Sequence, residues 1–540
     1  MHVFLKKLRF DDVPILNKTA LFELLSQRFD NQEKTLSQIP NPNLLHDAPK
    51  AAKKIADAIK EKKKITLVGD YDVDGISSTA IMVDFFRQIP YPLQTIIPNR
   101  FSDGYGVSPN ILKRVDADIV ITADNGITAT EAAEICKERG IELIITDHHT
   151  PLEMLPQAYA IVNPKLSKCD YPFKDICGAQ VAWLLLGLVK KELNLSIDMK
   201  KFLDILCIAI IADIMPLTDI NRALVKEGLK VLMHSQRPSS IIIRDFLNKN
   251  SLTSEDIGFQ IAPRINSAGR LEDASIALEF LTATTTNKAY TQFEKLNSLN
   301  EQRKDLEAQT TKIAIDTVQN LEELPNIIVV CGEDWHEGVV GIVASRLVNH
   351  FERPAIVLSI KEGTAKGSAR SLGNIDIYKL IKENAHYLQR FGGHKMAAGL
   401  GLDEGNIEAF SRAINESASG LTCKDFIPSE DILGILDTHD IDFELLEMLE
   451  SFEPYGEANL RPKFLLKDAH IMEIKYIGSN KSHSKITIKQ HLHERKTIEL
   501  IAFRNIVEMP SDKKITCKYT ISKNEFNSKV SIQFLLNKIY

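Results

Sequence analysis

The sequence predicts an α/β protein in three folded parts: a parallel-sheet domain, a second α/β lobe reached through a long helix, and a small C-terminal β-barrel. Three observations carry this. From Ile65 to about residue 162, apolar strand-like runs alternate with helix-periodic segments, the pattern of β-loop-α units in a sheet covered on both faces. Residues 289–319 form one uninterrupted, charged stretch of helical period. From about residue 431, long helices give way to short alternating runs after Pro454, Gly456 and Pro462.

Taken in order, Ile65-Thr66-Leu67-Val68 is a strand, residues 69–75 a loop and residues 76–88 an apolar-periodic helix. Further strands are expected at 94–97, 118–122, 141–146 and 159–162, with a helix at 129–139. Helices dominate from 178 to about 250, including 181–193 and 202–214. A polar stretch, 248–256, precedes Ala262-Pro263-Arg264-Ile265-Asn266-Ser267-Ala268-Gly269-Arg270. The 289–319 helix then connects to a second α/β unit that opens at 327–331 and closes near residue 416. The barrel strands include 485–488, 498–503 and 530–535.

A chain of 540 residues with 44% hydrophobic and 26% charged side chains has room for roughly three or four soluble domains of about 150 residues. The net charge of -6 argues against indiscriminate coating of nucleic acid. It leaves a DNA substrate open, because bound cations cancel the carboxylates of a metal site. Seven scattered cysteines, never spaced as C-x-x-C, fit free thiols of a reducing cytoplasm better than zinc ligands or disulfides. Lys6, Lys7 and Arg9 have no apolar run behind them, so no secretory signal is expected. The most apolar segment, 203–217, holds Asp204 and Asp213, is too short to span a bilayer, and reads as a buried helix. No P-loop appears, so ATP is not expected to drive the chemistry.

Four apolar runs end on acidic or histidine side chains: Asp70-Tyr71-Asp72-Val73-Asp74-Gly75, Asp124-Asn125-Gly126, Asp147-His148-His149 and Ala212-Asp213. In open parallel sheets ligands collect beyond the carboxyl ends of the strands, so the first three point at one crevice. An Asp-rich turn alone is as often a helix cap, and a His pair is commonly surface decoration. Their joint occurrence favours a site for divalent metal and, with it, metal-assisted phosphoester hydrolysis. Oxygen-rich ligands with one or two imidazoles suit Mn²⁺, with Mg²⁺ as a substitute, better than tetrahedral zinc. Asp213 needs a nearby cation, since an unpaired buried charge costs several kcal/mol. Gly75 is expected to let a phosphate approach, and Ser77 and Ser78 lie in a first helical turn that favours anions.

These residues resemble the DHH phosphoesterase superfamily, and within it the exonucleases that degrade single-stranded DNA from the 5′ end. The resemblance extends through Asn99-Arg100-Phe101-Ser102-Asp103-Gly104-Tyr105-Gly106, Asp213-Ile214-Met215-Pro216-Leu217 and residues 262–270. It continues in Trp335-His336-Glu337-Gly338, Gly367-Ser368-Ala369-Arg370-Ser371 and Gly392-Gly393-His394. It implies a DHH domain with an N-terminal extension over 1–245, a connecting region with the long helix over 246–322, a DHHA1 domain over 323–425 and an OB-type nucleic-acid-binding barrel over 426–540.

The resemblance also implies two metal ions held by Asp70, Asp72, Asp74, Asp124, His148 and Asp213, with His149 beside them as a phosphate contact. Asp72, Asp74, Asp124, His148, His149 and Asp213 are then the catalytic set. Substrate contacts fall to Arg100, Arg264, Arg270, Ser368, Arg370 and His394, with Arg100 or Arg270 on the 5′ phosphate. An Arg taken at random more often ends in a surface salt bridge. The implied partners are single-stranded DNA, a helicase to feed it and a single-strand-binding protein to recruit the enzyme, with no membrane and a working monomer in the cytoplasm.

In the barrel, Tyr476, Phe503, Tyr519 and Phe526 interleave with Lys475, Lys481, Lys485, Arg504, Lys518 and Lys523. This is either a stacking groove for single strands or an ordinary barrel with aromatics in its core; the resemblance favours the groove. Trp335 is read as core. Two departures concern loop shape and DNA grip: Glu337 stands where the motif has Pro, and residues 456–462 are looser than Gly-x-Gly-Asn-Pro-x-Pro. Two other readings remain: a phosphodiesterase of short oligonucleotides or cyclic dinucleotides, and a non-catalytic DNA-binding scaffold.

Overall fold

The structure, a computed structural model, describes residues 10–29, 34–426, 431–478, 480–493, 496–503, 505–526 and 529–540. Among the described residues, a five-stranded sheet is built from β1 (Ile65–Val68), β2 (Leu93–Ile96), β3 (Ile119–Thr122), β4 (Glu142–Thr146) and β5 (Ala160–Val162). The order is β2-β1-β3-β4-β5, with every pair parallel. All four residues of β1 and of β3 are buried, which is why both read as continuous apolar runs without alternation. The chain reverses its winding between β1 and β3. That switch point opens a crevice at the carboxyl ends of these two strands.

Helix α1 (Val73–Gln88) begins three residues earlier than the sequence reading placed it, because the Asp72 carboxylate caps it by accepting the Gly75 N–H at 3.0 Å. Asp74 therefore belongs to the first helical turn. Behind the sheet lie α2 (Gly178–Glu192) and α3 (Leu203–Ala212). Eight of the ten residues of α3 are buried, and Asp213 follows directly at its end. Helix α4 (Ala262–Leu271) follows a π-helical turn at Ile257–Ile261.

Helix α5 (Thr286–Gln319) runs for 34 residues, about 50 Å at 1.5 Å per residue. Ala289, Phe293, Leu296 and Leu299 belong to the core of the first domain, whereas Ala314 and Val318 belong to that of the second lobe. One helix is thus shared by two cores. The second lobe is a mixed sheet in which Ile328–Glu333 and Ala355–Lys361 pair in parallel and Thr364–Arg370, Ala397–Asp403 and Arg390–His394 continue antiparallel, covered by α6 (Val340–Phe351). Trp335 packs against this core.

The barrel closes where Lys463–Ile477 pairs with both His483–Lys489 and Lys514–Phe526. Its strands are longer than the sequence reading expected, reaching 15 and 13 residues. Register shifts at Leu466/Ala469 and Ile471/Glu473 bend the first of them, so that its two halves serve different neighbours. Of the N-terminal stretch expected to extend the first domain, Leu45, Ala48, Ala52 and Ile55 do join that domain's core, whereas residues 15–25 pack here. Ile15–Leu16 pairs with Ile432–Leu436, and Leu16, Leu21 and Leu25 sit in the barrel core.

The loop entering the barrel is held against the first domain close to Asp213. The Leu217 N–H donates to the Glu457 carbonyl at 2.7 Å, Arg222 donates to the Phe452 carbonyl at 2.8 Å, and Arg461 pairs with Glu255 at 2.9 Å. Among the described residues, no helix is long and apolar enough to cross a membrane.

Candidate metal centre

Asp70 leaves β1 buried, its carboxylate accepting the N–H of Tyr71 at 2.8 Å. Asp74 accepts the N–H groups of Gly178 at 2.5 Å and Ala179 at 2.8 Å, so the open donors that begin α2 hold a carboxylate from the start of α1. Asp124 leaves β3 in the left-handed region (φ 66°), which Asp tolerates better than most residues. Beside it, Asn125 donates to the carbonyls of Val68 (3.1 Å) and Ala123 (3.0 Å) and accepts the Val107 N–H (2.9 Å). Two strand ends and the loop that carries residues 99–106 are tied by this one side chain.

His148 Nε2 lies 3.3 Å from Asp124 Oδ1, 3.5 Å from Asp213 Oδ2 and 3.6 Å from Asp74 Oδ2. These separations exceed good hydrogen bonds. Asp124 Oδ1, Asp213 Oδ2 and both ring nitrogens of His148 are buried with no hydrogen-bond partner. Three donor groups have their atoms within 4.8 Å of one another: Asp70, Asp72 and Asp124; Asp74, His148 and Asp213; and Asp124, His148 and His149. A dense set of oxygens with imidazole and no thiolate fits Mn²⁺ or Mg²⁺.

The electrostatics agree with the geometry. Burial and mutual repulsion push the carboxyls of Asp70, Asp72 and Asp124 above their ordinary range, and burial with Asp74 and Asp72 nearby pushes Asp213 up to about 8. Burial drives His148 down, toward the neutral form that ligates metal. His149 behaves oppositely: burial opposes its charge, but the hydrogen bond to Asp147 and the charges of Asp147, Asp72 and Asp213 together outweigh it and lift the imidazole to about 9. A divalent cation would relieve the repulsion within this set of carboxylates.

Two glycines make the approach possible. A Cβ on Gly178 would stand 2.5 Å from Asp124 Cβ. Gly75 was expected to admit a phosphate; a Cβ there would instead stand 2.5 Å from Asp70 Cβ and 2.7 Å from its Cα, so what it admits is the Asp70 backbone at the end of β1.

Sequence reasoning missed three supports, Asp147, Asn125 and Tyr105. Asp147 accepts the N–H of His148 (2.7 Å) and of Ile127 (2.8 Å) and contacts His149 Nδ1 (2.7 Å). The Tyr105 hydroxyl stands 3.4 Å from both His149 Nδ1 and the Asp124 carbonyl. The signal for Asp147 was its place at a strand end; that of Asn125 and Tyr105 was only their place inside quoted motifs.

The arginines divide. Arg100 lies over the Tyr71 ring at 4.2 Å, its Nε buried without a partner. Arg270 reaches the Gly338 carbonyl of the second lobe at 3.2 Å, and burial, with Arg100 and Arg303 nearby, lowers it to about 10. Arg370 donates to Ser368 Oγ at 2.6 Å and is likewise lowered by burial. Arg100, Arg270, Ser368 and Arg370 therefore form a half-buried basic group next to the carboxylates.

Arg264 stands apart from this group. It lies over Phe246 at 4.2 Å and bonds Asn297 and the Gln260 carbonyl, a packing role between helices. It is six residues from Arg270 on α4, about 120° away around the helix. His394 is exposed on Arg390–His394, and no contact among the described residues joins it to the arginines. In the barrel, Tyr519 is core rather than groove, whereas Tyr476 and Phe503 are exposed. Lys475, Lys485 and Lys518 pair with Glu473, Glu499 and Asp431. Arg504 and the Phe526 side chain lie outside the described residues.

Fold and site together define a DHH-type phosphoesterase with a second α/β lobe and an OB-type barrel. The DHH family N-terminal domain matches residues 64–210, the DHHA1 domain residues 324–420 and the RecJ OB domain residues 434–538. The single-stranded-DNA-specific exonuclease RecJ of Haemophilus influenzae is 32% identical over 99% of this chain and 99% of its own length. That of Bacillus subtilis is 35% identical over 90% of this chain, which spans 62% of the relative's length. The structure of RecJ from Thermus thermophilus with Mn²⁺ superposes over 98% of this chain and 79% of its own, with a TM-score of 0.79 and 27% identity, and that protein is also known with Mg²⁺. The chain belongs to the RecJ family.

Proposed function

We propose that this protein hydrolyses single-stranded DNA from the 5′ end with bound divalent metal, releasing 5′-mononucleotides in DNA repair and recombination. The observation that carries the reading is the set of buried carboxylate oxygens and His148 nitrogens left without hydrogen-bond partners beside a half-buried basic group. Asp70, Asp72 and Asp124 would hold one ion and Asp74, His148 and Asp213 a second, with Asp124 bordering both groups. Bound there, Mn²⁺ or Mg²⁺ supplies the activation of water and the neutralisation of charge on the attacking and leaving oxygens.

The chain's own residues do the rest. His149, kept charged by Asp147, donates to the phosphate under attack, and the Tyr105 hydroxyl holds the imidazole in place. Arg270 and Arg370, partly desolvated and with Arg100 beside Arg270, gain most from a doubly charged anion, which a 5′-terminal phosphate provides. With that phosphate held, the adjoining phosphodiester faces the carboxylates, which sets the polarity.

Tyr476 and Phe503 offer ring faces to bases of the entering strand. A cleft between two lobes and the docked barrel loop excludes duplex, so a helicase would supply the strand and a single-strand-binding protein would recruit the enzyme. It works as a cytoplasmic monomer in this reading.

The test is Mn²⁺-dependent digestion of a long single strand carrying a radiolabelled 5′ phosphate, beside the same strand labelled at its 3′ end and a blunt duplex. Early release of labelled mononucleotide from the 5′-labelled strand alone is expected. If all three survive, dinucleotide hydrolysis and the non-catalytic scaffold are the readings left.

A further inference from the structure

The loop over residues 99–106 roofs the donor set and is strapped down along its length. Asn99 Nδ2 donates to the Glu272 carbonyl at 3.1 Å, Asp103 accepts the Asn99 N–H at 3.0 Å and pairs with Arg114 at 2.7 Å, and Tyr105 reaches His149. Phe101, on the outer turn of this loop, belongs to no core and keeps 46% of its surface exposed. Its ring meets His336 of the second lobe edge-on, with centroids 5.6 Å apart.

His336 is fixed in turn. Its Nδ1 accepts the Gly338 N–H at 3.0 Å, and the Gly338 carbonyl accepts from Arg270. The ring pair therefore spans the two lobes beside the arginine group: Phe101 is the residue after Arg100, and His336 stands two residues before the backbone that Arg270 holds. A cleft open at both ends would let a continuous strand lie through it and be cut anywhere. A barrier directly behind the arginines leaves room for a terminal phosphate but not for a further nucleotide.

We propose that Phe101 and His336 form the end wall of the strand cleft, which makes the cleft blind behind the terminal phosphate and restricts cutting to strand ends. This inference rests on the function proposed above. It also means that a strand carrying a bulky 5′ group is rejected.

The experiment compares the wild-type protein with the double variant Phe101→Ala/His336→Ala and with Phe101→Leu, which keeps most of the bulk. Each receives three substrates with Mn²⁺: a linear 5′-phosphorylated single strand, the same strand capped with fluorescein, and a circular single strand. The double variant is expected to open the circle and consume the capped strand at least about tenfold faster than the wild type, keep linear digestion within about threefold, and leave Phe101→Leu close to wild type. An intact circle with linear digestion retained overturns the wall. Loss of linear digestion by the double variant at an unchanged melting temperature also overturns it, in favour of a positioning role for the loop. Failure of the wild type on the linear strand overturns the function itself, and the wall with it.

Discussion

Asp147 Oδ1 lies 2.7 Å from His149 Nδ1 and accepts the backbone N–H groups of His148 and His149 at 2.7 and 3.0 Å. Its other oxygen takes the Ile127 N–H at 2.8 Å. The first residue of the triplet thus clamps the two that follow it, and all of this is done by a side chain that ligates nothing in the arrangement described. Asp147→Asn should lower Mn²⁺ affinity or kcat about 10- to 100-fold, the usual cost of losing a group that orients ligands. Calorimetric Mn²⁺ titration and steady-state kinetics check this.

Burial and two neighbouring carboxylates push Asp213 up to about 8, so the folded, metal-free protein resists its ionisation. Asp213→Asn removes that repulsion, so the metal-free variant should melt above the metal-free wild type. The rise in Tm on adding Mn²⁺ should shrink or vanish, and activity should fall by about a thousandfold. Calorimetric scans with and without Mn²⁺ read both effects.

Gly178 is where α2 meets the Asp124 carboxylate. Gly178→Ala places a methyl against that side chain and should spread the ligand groups. A loss of about tenfold or more in Mn²⁺ affinity is expected, with the far-ultraviolet circular dichroism retained.

Arg264 and Arg270 lie on one helix and should behave in opposite ways. Arg270→Ala should raise KM for a 5′-phosphorylated strand by about tenfold and change Tm little. Arg264→Ala should lower Tm through lost packing on Phe246 and leave KM unchanged. Parallel kinetics and melting of the two variants separate the roles.

Asp431 receives Lys463 and Lys518 at the start of the barrel. Burial pulls its carboxyl upward, but the two lysine hydrogen bonds outweigh it and hold the group below its ordinary value of 3.8. A lowered folded-state value means stability that is present above 3.8 and lost as pH falls through the lowered value. At neutral pH, Asp431→Asn should speed hydrogen exchange at the Lys463 and Phe464 amides relative to wild type. The difference should close as the pH is taken below 3.8.

The candidate metal ligands were legible because they cluster at the ends of apolar runs, a local feature that a parallel sheet turns into a shared crevice. What stayed hidden depends on elements far apart in the chain. Gly178 matters only because α2 begins against Asp124, and Leu16, Leu21 and Leu25 reach the barrel from the other end of the sequence. Arg264 and Arg270 share a motif, but the helical turn between them sends one into packing and the other to the second lobe. Tyr519 was legible in principle. Ile515, Cys517 and Tyr519 are buried between the more exposed Lys514, Thr516 and Lys518, a period-two pattern that marks an inward face.

The most direct measurement is the anomalous difference density of a crystal soaked in Mn²⁺, recorded above the manganese absorption edge. Two peaks are predicted, one among Asp70, Asp72 and Asp124 and one among Asp74, His148 and Asp213. A single peak, or manganese bound away from these residues, would contradict the two-ion account.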